Sequence, residues 1–498
     1  MPDATAKAVI DLEGDEGSPV CEKGRICERF LRRGEALQAG GDGVAGKPQE
    51  NVPPGFRDRG FCSESFHRKP ECYRVGVIVK LPFAGETVAV DLRGMRVRPL
   101  SPSASRGGRD LESLLGAAID HPIKGDPLRE LARNRRSATV IVPDATRKIE
   151  LPRILPVILD RLRSEGIKES GIVILVACGT HPAVRDDVLR ELTGPLPPGV
   201  SVVQHDSRDD DVLVDVGELR PGIRLRLHRA AVEADLLVTV GTVRHHYFAG
   251  FGGGPKMVFP GVAGYEEIQA NHSLVLAPAD GGGRVRHPDC EPGRLGGNPV
   301  AEEIARVADA HPPTMSVCLV EGQAGETAWA AAGPWREVFD IAVDQTRSWY
   351  EVPGNQLFEV MVASGGGSPS DSTLIQAHKG LDAACRFLAP GGRLLYVAAI
   401  DRGAGSDAML PFLERPDPDE ILGSLNRAWV QYGHTTLRLL EKTRRHRVAL
   451  HSHLDPSLAT RLGFEPVEAV DEVIESWRRE CPGVTVGVMA SGAVYPRS

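Results

Sequence analysis

Short apolar runs recur along the chain from residue 73 onward, and helix-length segments separate them. A first series occupies residues 138–142, 171–177, 234–240 and 315–320. A second series occupies residues 357–363, 392–399, 448–451 and 484–489. Buried strands that alternate with helices are typical of a mostly parallel sheet with helices on both faces. The pattern therefore predicts an α/β fold of two α/β domains, each built on a mostly parallel sheet.

The start of the chain differs from the rest. Residues 1–72 show no sustained apolar period and contain clusters of glycine and proline, which predicts an irregular or disordered N-terminal extension. Residues 75–81 and 86–92 then flank a Pro-Phe-Ala-Gly turn and predict a β-hairpin. We place the domain boundary near residues 340–355. This gives an N-terminal domain of residues 73–347 and a smaller C-terminal domain of residues 348–498.

The bulk properties exclude several classes of protein. A length of 498 residues exceeds what one hydrophobic core serves, and a net charge of −8 disfavours nucleic acid and anionic membranes as partners. The sequence has no apolar run of about eighteen residues and no evident secretory signal, so we expect neither a membrane span nor secretion. Nine cysteines without a CxxC pair predict reduced thiols and a cytoplasmic location.

Polar side chains follow three of the predicted strands. Residues 143–147 (Pro-Asp-Ala-Thr-Arg), 178–181 (Cys-Gly-Thr-His) and 243–246 (Val-Arg-His-His) each come directly after a strand. In open α/β sheets the binding crevice lies outside the carboxyl ends of the strands, so we expect the three loops to form one site. Alone, Asp144 would be a helix cap and His181 a hydrogen-bonded loop histidine. Of the neighbours His245 and His246, at most one is expected to face the site.

A glycine-rich loop with a lysine adds to this site. Residues 250–256 read Gly-Phe-Gly-Gly-Gly-Pro-Lys, and a lysine placed after such glycines commonly meets an anion. The loop is not a Walker A motif, because Met257 follows Lys256, and its glycines do not fit a dinucleotide fingerprint. The sequence also lacks HExxH, cysteine-rich zinc and Gly-x-Ser-x-Gly patterns. What remains is a site of histidines, a phosphate-tolerant loop and a lysine, without a conventional cofactor motif.

Six blocks, in this order and spacing, resemble the nickel-dependent lactate racemase family. They are residues 144–147 (Asp-Ala-Thr-Arg), 179–181 (Gly-Thr-His), 246–256 (His-Tyr-Phe-Ala-Gly-Phe-Gly-Gly-Gly-Pro-Lys), 260–261 (Pro-Gly), 271–272 (Asn-His) and 376–379 (Gln-Ala-His-Lys). The resemblance extends from about residue 73 to near the C-terminus and leaves residues 1–72 outside. It implies two α/β domains with the site in the cleft between them. The first domain would bind the cofactor, and the second would close over the substrate.

The resemblance implies a nickel-pincer nucleotide, the Ni(II)-pyridinium-3,5-bisthiocarboxylate mononucleotide, attached covalently at Lys256. Imidazole suits nickel, and His272 would be the protein's metal ligand. The implied cofactor-binding residues are Asp144, Ala145, Thr146, Arg147, Lys256, Pro260 and His272. The implied catalytic residues are His181 and His246, as proton acceptors and donors. The implied substrate-binding residues are Arg147, Gln376 and Lys379.

The implied activity is that of an isomerase, a racemase or epimerase that interconverts stereoisomers at C2 of a 2-hydroxy acid. Hydride would pass from C2 to the tethered cofactor while one histidine takes the hydroxyl proton. Ile375 stands where lactate-specific members tend to carry an aromatic residue, so the expected substrate is lactate-like or larger. Enzymes that build the cofactor are implied partners, and a homo-oligomer is possible. Two alternatives stay open: a non-catalytic protein that binds the cofactor or a hydroxy acid, and a lyase or dehydratase on the same scaffold.

Overall fold

The computed structural model describes residues 74–75, 77–103, 110–147, 149–323, 325–490 and 494–497. The predicted irregular extension over residues 1–72 lies outside the described residues. The described residues belong to one compact unit, which contains two larger sheets. In this part of the chain, no helix combines the length and the apolar character that crossing a bilayer demands.

The first sheet has the strand order β16-β15-β10-β5-β6-β7 and is parallel except for β16 at its edge. Its strands are β5 (Ala138–Pro143), β6 (Ile172–Ala177), β7 (Ser201–Gln204), β10 (Leu236–Thr242), β15 (Met315–Glu321) and β16 (Thr327–Gly333). The helices of this part are α1 (Leu111–Asp120), α2 (Leu128–Ala132), α3 (Leu151–Ser164), α4 (Asp186–Thr193), α5 (Arg229–Val232), α6 (Tyr265–His272), α7 (Pro299–Ala310) and α8 (Trp335–Tyr350). The first series of predicted strands is confirmed.

Both faces of the first sheet are buried, as continuous apolar runs require. Successive side chains of a strand point to opposite faces. Val140 accordingly packs with the residues of α1 and α3, whereas its neighbour Ile141 belongs to the core on the other face. At β15, Val317 lies with α1 and α3, and Cys318 packs against α8.

The second sheet has the strand order β1-β4-β22-β18-β19-β20-β21 and is parallel except for β1. Its strands are β1 (Arg74–Val75), β4 (Arg96–Pro99), β18 (Phe358–Ser364), β19 (Leu388–Val397), β20 (Arg447–His451), β21 (Glu465–Pro466) and β22 (Thr485–Met489). Its helices are α9 (Leu374–Cys385), α10 (Leu410–Glu414), α11 (Pro418–Arg427), α12 (Gly433–Arg445), α13 (Pro456–Arg461) and α14 (Val470–Glu480). The α/β fold with mostly parallel sheets is confirmed.

The assignment of the first strands differs from the prediction. We predicted that residues 73–347 form the N-terminal domain, but β4 pairs in parallel with β22 near the end of the chain. The beginning of the described chain therefore belongs to the second sheet. Apolar runs predict that a strand exists and do not identify its partner, which explains the error. The division at residues 347 and 348 stays a prediction.

The remaining ladders are short, antiparallel pairs except for β17 with β23, which is parallel. They are β2 (Ile78–Phe83) with β3 (Glu86–Asp91), β8 (Leu213–Arg220) with β9 (Ile223–His228), β11 (His245–His246) with β12 (Gly250–Phe251), β13 (Leu276–Pro278) with β14 (Arg284–Arg286), and β17 (Glu351–Pro353) with β23 (Tyr495–Arg497). The pair of β2 and β3 confirms the predicted hairpin.

A buried ion network joins the part of the chain around the first sheet to the part around the second sheet. Asp382 on α9 lies 2.6 Å from the Lys442 ammonium and 3.0 Å from the Arg438 guanidinium, both on α12. Arg438 and Arg386 also contact Glu291, which belongs to the first part of the chain. Burial alone would raise the pKa of Asp382, but the Lys442 and Arg438 charges hold it well below its usual value.

Replacing Asp382 by asparagine is expected to lower the free energy of unfolding by about 3–5 kcal/mol, because two buried cations lose their carboxylate partner. Urea denaturation measures this change. Asp91→Asn is the matched control, since Asp91 pairs with Arg93 at the exposed surface, where an ion pair contributes little. An Asp382→Asn protein as stable as the control variant would contradict the assigned role.

Candidate functional site

The three predicted polar loops meet at one edge of the first sheet. Strands β10, β5 and β6 are neighbours and run parallel, so the loops that follow them leave from the same edge. The Oδ2 atom of Asp144, after β5, lies 2.5 Å from Nδ1 of His181, after β6. Thus the structure brings residues 144 and 181 into direct contact.

The hydrogen bonds of Asp144 fix the state of His181. Oδ1 of Asp144 accepts from the Thr146 hydroxyl at 2.7 Å and from the Thr146 amide at 3.2 Å, which leaves Oδ2 for the imidazole. Burial would raise the pKa of Asp144, but the His181 hydrogen bond and the His181 and Arg147 charges lower it to about 2. The ionised carboxylate accepts a hydrogen bond, so Nδ1 of His181 carries a hydrogen. In the neutral form of the imidazole the lone pair is then on Nε2.

The two adjacent histidines face different surroundings, as predicted. His245 points away from the site, where its ring stacks on Tyr495 at 4.3 Å and its Nε2 lies 3.1 Å from Glu351. His246 points towards Lys256, with 3.5 Å between Nε2 and Nζ. Its Nδ1 accepts a hydrogen bond from the Ala249 amide at 3.2 Å. Desolvation, with the Lys256 charge next, lowers the pKa of His246 well below its usual value.

The glycine loop is shaped so that Lys256 enters this pocket. Gly253 and Gly254 have φ angles of 71° and 50°, a left-handed region that favours glycine. A Cβ atom on Gly254 would lie 2.3 Å from the Phe339 ring, and one on Gly253 would lie 2.5 Å from the Thr242 carbonyl oxygen. Larger side chains are thus excluded, and the loop closes tightly enough to place Lys256 beside His246.

The amine of Lys256 is expected to titrate near neutral pH. Desolvation and the Arg147 charge lower its pKa to about 7. Acylation of the unmodified protein over a pH series, with mass spectrometry of the Lys256 peptide, should therefore show a midpoint near this value. Exposed lysines have a usual pKa of about 10.4 and serve as internal controls. Arg147→Gln should move the midpoint upward, and a wild-type midpoint close to that of exposed lysines would contradict the proposed desolvation.

His272, the last residue of α6, lies in the same pocket. Its ring is 5.0 Å from the Phe248 ring, and the Lys256 Nζ atom lies 5.6 Å from that same ring. Nδ1 of His272 lies 3.2 Å from Oδ1 of Asn271, whose amide group donates to Glu303 at 3.0 Å. Because an amide oxygen only accepts, Nδ1 of His272 carries the hydrogen and Nε2 is the nitrogen available to a ligand.

The part of the chain around the second sheet contributes a further cation and a hydroxyl group. The Lys379 ammonium on α9 donates to Oε1 of Gln376 at 2.7 Å. Desolvation and the Arg147 charge lower the pKa of Lys379 well below its usual value. The charges of Lys379 and Arg147 therefore act on each other. The Tyr247 hydroxyl, next to His246, lies 3.0 Å from the Thr435 hydroxyl on α12. Hence both parts of the unit line the site.

Two further predicted residues lie at the edge of this pocket. Ala145 is half-buried in the turn between Asp144 and Thr146. The loop that contains Pro260 packs against the loop after β6, since the Gly179 amide donates to the Gly261 carbonyl at 2.9 Å. The loop that contains Pro260 is therefore held against the loop that contains His181.

Comparisons with known proteins show what this chain is similar to. Residues 86–283 match the lactate racemase N-terminal domain. A lactate racemase from Lactiplantibacillus plantarum is 28% identical over 432 residues, which cover 84% of this chain and 98% of that protein. A lactate racemase from Thermoanaerobacterium thermosaccharolyticum is 27% identical over 355 residues, or 70% of this chain and 80% of that protein. The chain is similar to lactate racemases over most of its length. The resemblance noted in the sequence and the predicted isomerase class are both confirmed.

Two solved structures share the fold of this chain. The apoprotein of the lactate racemase from Thermoanaerobacterium thermosaccharolyticum superimposes with a TM-score of 0.74 at 24% identity, and the match covers 84% of this chain and all of that chain. A protein from Thermotoga maritima gives a TM-score of 0.59 at 16% identity, over 79% of this chain and 100% of that chain. At these identities the likeness concerns the fold alone.

The structure also shows functional contacts that the sequence did not reveal. Asp144 was predicted as a cofactor contact, and its carboxylate binds His181 directly. Tyr432 directly precedes α12 and was not selected from the sequence; burial raises the pKa of its hydroxyl, and Thr180 opposes that shift. No motif surrounds Tyr432, and its position depends on how α12 packs on the second sheet.

Proposed function

We propose that this protein is a racemase or epimerase that interconverts the stereoisomers at C2 of a 2-hydroxy acid. The observation that carries the proposal is the pair of imidazoles, His181 and His246, beside a partly buried group of three cations. These cations are Arg147, Lys256 and Lys379, and the pKa values of all three are lowered, with desolvation as the first cause. Such a pocket favours anions, because desolvated cations gain most from a negatively charged ligand.

Arg147 and Lys379 are the cations available to the substrate, since Lys256 is the proposed attachment point of the cofactor. Arg147 offers a planar fork that suits a carboxylate, and Lys379 on α9 offers a point charge. The Asp144 carboxylate is the negative charge that acts on Arg147, and it is already hydrogen bonded to His181 and Thr146. A substrate carboxylate therefore supplies the negative charge that these cations favour.

The histidines act on the substrate hydroxyl. Nε2 of His181 has a free lone pair and accepts the hydroxyl proton, while the Asp144 carboxylate stabilises the resulting imidazolium. His246 lies against Lys256 and Phe248, and its Nδ1 accepts from the Ala249 amide, so it presents an Nε2–H group to the hydroxyl oxygen of the opposite enantiomer. Proton transfer by such a positioned side chain typically contributes about 10²–10⁴-fold to the rate. Two imidazoles are needed because inversion at C2 moves the hydroxyl group to a different position.

The residues also fit the nickel-pincer nucleotide of the family. Lys256 has an amine that is largely neutral above pH 7 and suited to covalent attachment. His272 is held through Nδ1 and offers Nε2, the arrangement usual for a metal-ligating histidine. The described residues contain no cluster of three or more metal-binding side chains, so the other nickel ligands would come from the cofactor. When bound, the cofactor supplies an electrophilic centre that exchanges hydride with C2. We expect the protein to depend on enzymes that make this cofactor.

The proposal is tested by chiral chromatography of 2-hydroxy acids and aldonates incubated with cofactor-loaded protein. Interconversion of both stereoisomers, with deuterium at C2 retained, is the expected result. A 2-keto acid or a dehydrated product that accumulates from one enantiomer would instead indicate a lyase or dehydratase. Binding of a hydroxy acid without turnover by protein that contains nickel would indicate a carrier.

A further inference from the structure

The side chain that follows His246 joins β11 to a helix of the second sheet. Tyr247 is buried, with 6% of its surface exposed, and its ring stacks on the His246 ring with 5.2 Å between the centroids. The Tyr247 hydroxyl lies 3.0 Å from the Thr435 hydroxyl and 3.3 Å from Nε2 of His434, both in the first turn of α12. One phenol therefore spans the distance between a predicted catalytic histidine and α12.

The two partners on α12 lie in the interior of the protein. Thr435 is fully buried, and His434 has 3% of its surface exposed. Burial lowers the pKa of His434 to about 3, so its imidazole is neutral at physiological pH. Among the described residues, the Tyr247 hydroxyl is the hydrogen-bond partner of this ring, whose Nδ1 is buried and unpaired. A hydroxyl group donates one hydrogen bond and accepts others, so the phenol can serve both partners at once.

The Tyr247 ring also contacts α9. The His378 ring, with 1% of its surface exposed, meets it edge-on with 5.5 Å between the centroids and 81° between the planes. His378 lies between Gln376 and Lys379, the residues proposed to bind the substrate. The Arg438 guanidinium of the buried ion network lies 5.8 Å from the centre of the same phenol ring. The position of Tyr247 thus depends on both α9 and α12.

We propose that Tyr247 is a positioning residue that holds the imidazole of His246 in place relative to the substrate-binding residues of α9. The hydrogen bonds to His434 and Thr435 fix the phenol on α12, and the stacked rings and the shared peptide bond pass this position on to His246. The inference rests on the proposed function and concerns a residue for which the resemblance implied no role. A misplacement of about 1 Å can cost about 10²-fold in rate, so a hydroxyl that does not touch the substrate can still control kcat.

Tyr247→Phe tests this role, because it removes both hydrogen bonds and keeps the ring. We expect kcat per adduct-bearing molecule, for the best substrate of the chiral screen, to fall about 10-fold or more in both directions while KM changes by less than about twofold. Thr435→Val removes one of the two partners and should lower kcat by a smaller factor. The combined variant should be no slower than Tyr247→Phe alone, since both substitutions break the same contact. An unchanged kcat, or losses that multiply in the combined variant, would overturn the positioning role.

Two matched controls lose the same kinds of hydroxyl group elsewhere. The Tyr350 hydroxyl donates to two backbone carbonyls at 3.1 and 3.2 Å, and the Thr443 hydroxyl, also on α12, donates to the Leu462 carbonyl at 2.7 Å. Tyr350→Phe and Thr443→Val should therefore lower Tm and leave kcat unchanged. If either control reduced kcat as much as Tyr247→Phe, the loss would reflect a general loosening of the fold and would contradict the proposed role.

Chemical labelling of the cofactor-free protein separates this inference from the proposed function. Diethyl pyrocarbonate acylates neutral imidazoles, and fragment-ion mass spectrometry distinguishes a label on the half-buried His246 from one on His245. We expect the labelling rate of His246 to rise severalfold in Tyr247→Phe and to keep its wild-type value in Tyr350→Phe. A wild-type rate in Tyr247→Phe would overturn the positioning role and leave racemase activity intact. A faster rate in a protein that racemises no acid would support the contact and contradict the proposed function.

Discussion

A Lys256→Ala protein is expected to fold, to lack the covalent cofactor and to lose racemase activity by about 10⁴-fold or more. The proposed covalent attachment would hold the hydride acceptor beside the substrate, and effective molarities for such fixed groups reach about 10⁵–10⁸ M. Folding is expected to survive, because the amine is desolvated and its pKa is lowered to about 7, so its charge opposes burial. Intact-mass spectrometry, nickel analysis and a racemisation assay on protein from a cofactor-producing host measure the three effects.

Lys379→Ala is the matched control for this prediction. Both lysines lie in the field of Arg147, but Lys379 is hydrogen bonded to Gln376 and is proposed to bind the substrate. The control variant should keep the mass adduct and the nickel while its KM rises. If Lys256→Ala protein retained the adduct, or racemised at the wild-type rate, attachment at this lysine would be excluded.

The strands and the convergence of the polar loops were predictable from local pattern. Continuous apolar runs such as residues 171–177 mark strands that are buried on both faces, and parallel strands bring their carboxyl ends together whatever the loops contain. The glycine positions around Lys256 were likewise informative, since the backbone there adopts positive φ angles. These features depend on the residues themselves and on general rules of sheet geometry.

Contacts between distant segments were not predictable in the same way. The pairing of β4 with β22 joins residues near the two ends of the described chain, and nothing in the apolar pattern of either strand identifies the other. The position of Tyr432, directly before α12, depends on how this helix packs. The partner of His181 was also missed, because a helix cap, a cofactor contact and a histidine partner all suit an aspartate such as Asp144.

Asp144→Asn is expected to reduce kcat in both directions by about 10²–10⁴-fold, because it changes the tautomer of His181. The two donors of Thr146 fix the position of the acceptor oxygen Oδ1, at 2.7 and 3.2 Å. An asparagine that keeps these bonds turns its NH₂ group towards Nδ1 of His181. Nδ1 then accepts, Nε2 carries the hydrogen, and the imidazole has no lone pair for the substrate proton. Rates per adduct-bearing molecule, with adduct content determined by intact mass, measure the change.

Asp144→Ala distinguishes this explanation from a simple loss of charge. Alanine removes the hydrogen bond to His181 and leaves the imidazole free to exchange tautomers, whereas asparagine holds it in the unproductive one. We therefore expect the alanine variant to retain more activity than the asparagine variant, although it has lost more contacts. The reverse order, or equal rates with equal adduct content, would show that Asp144 acts through its charge or through the cofactor. In that case the dyad with His181 would not set the protonation state of the base.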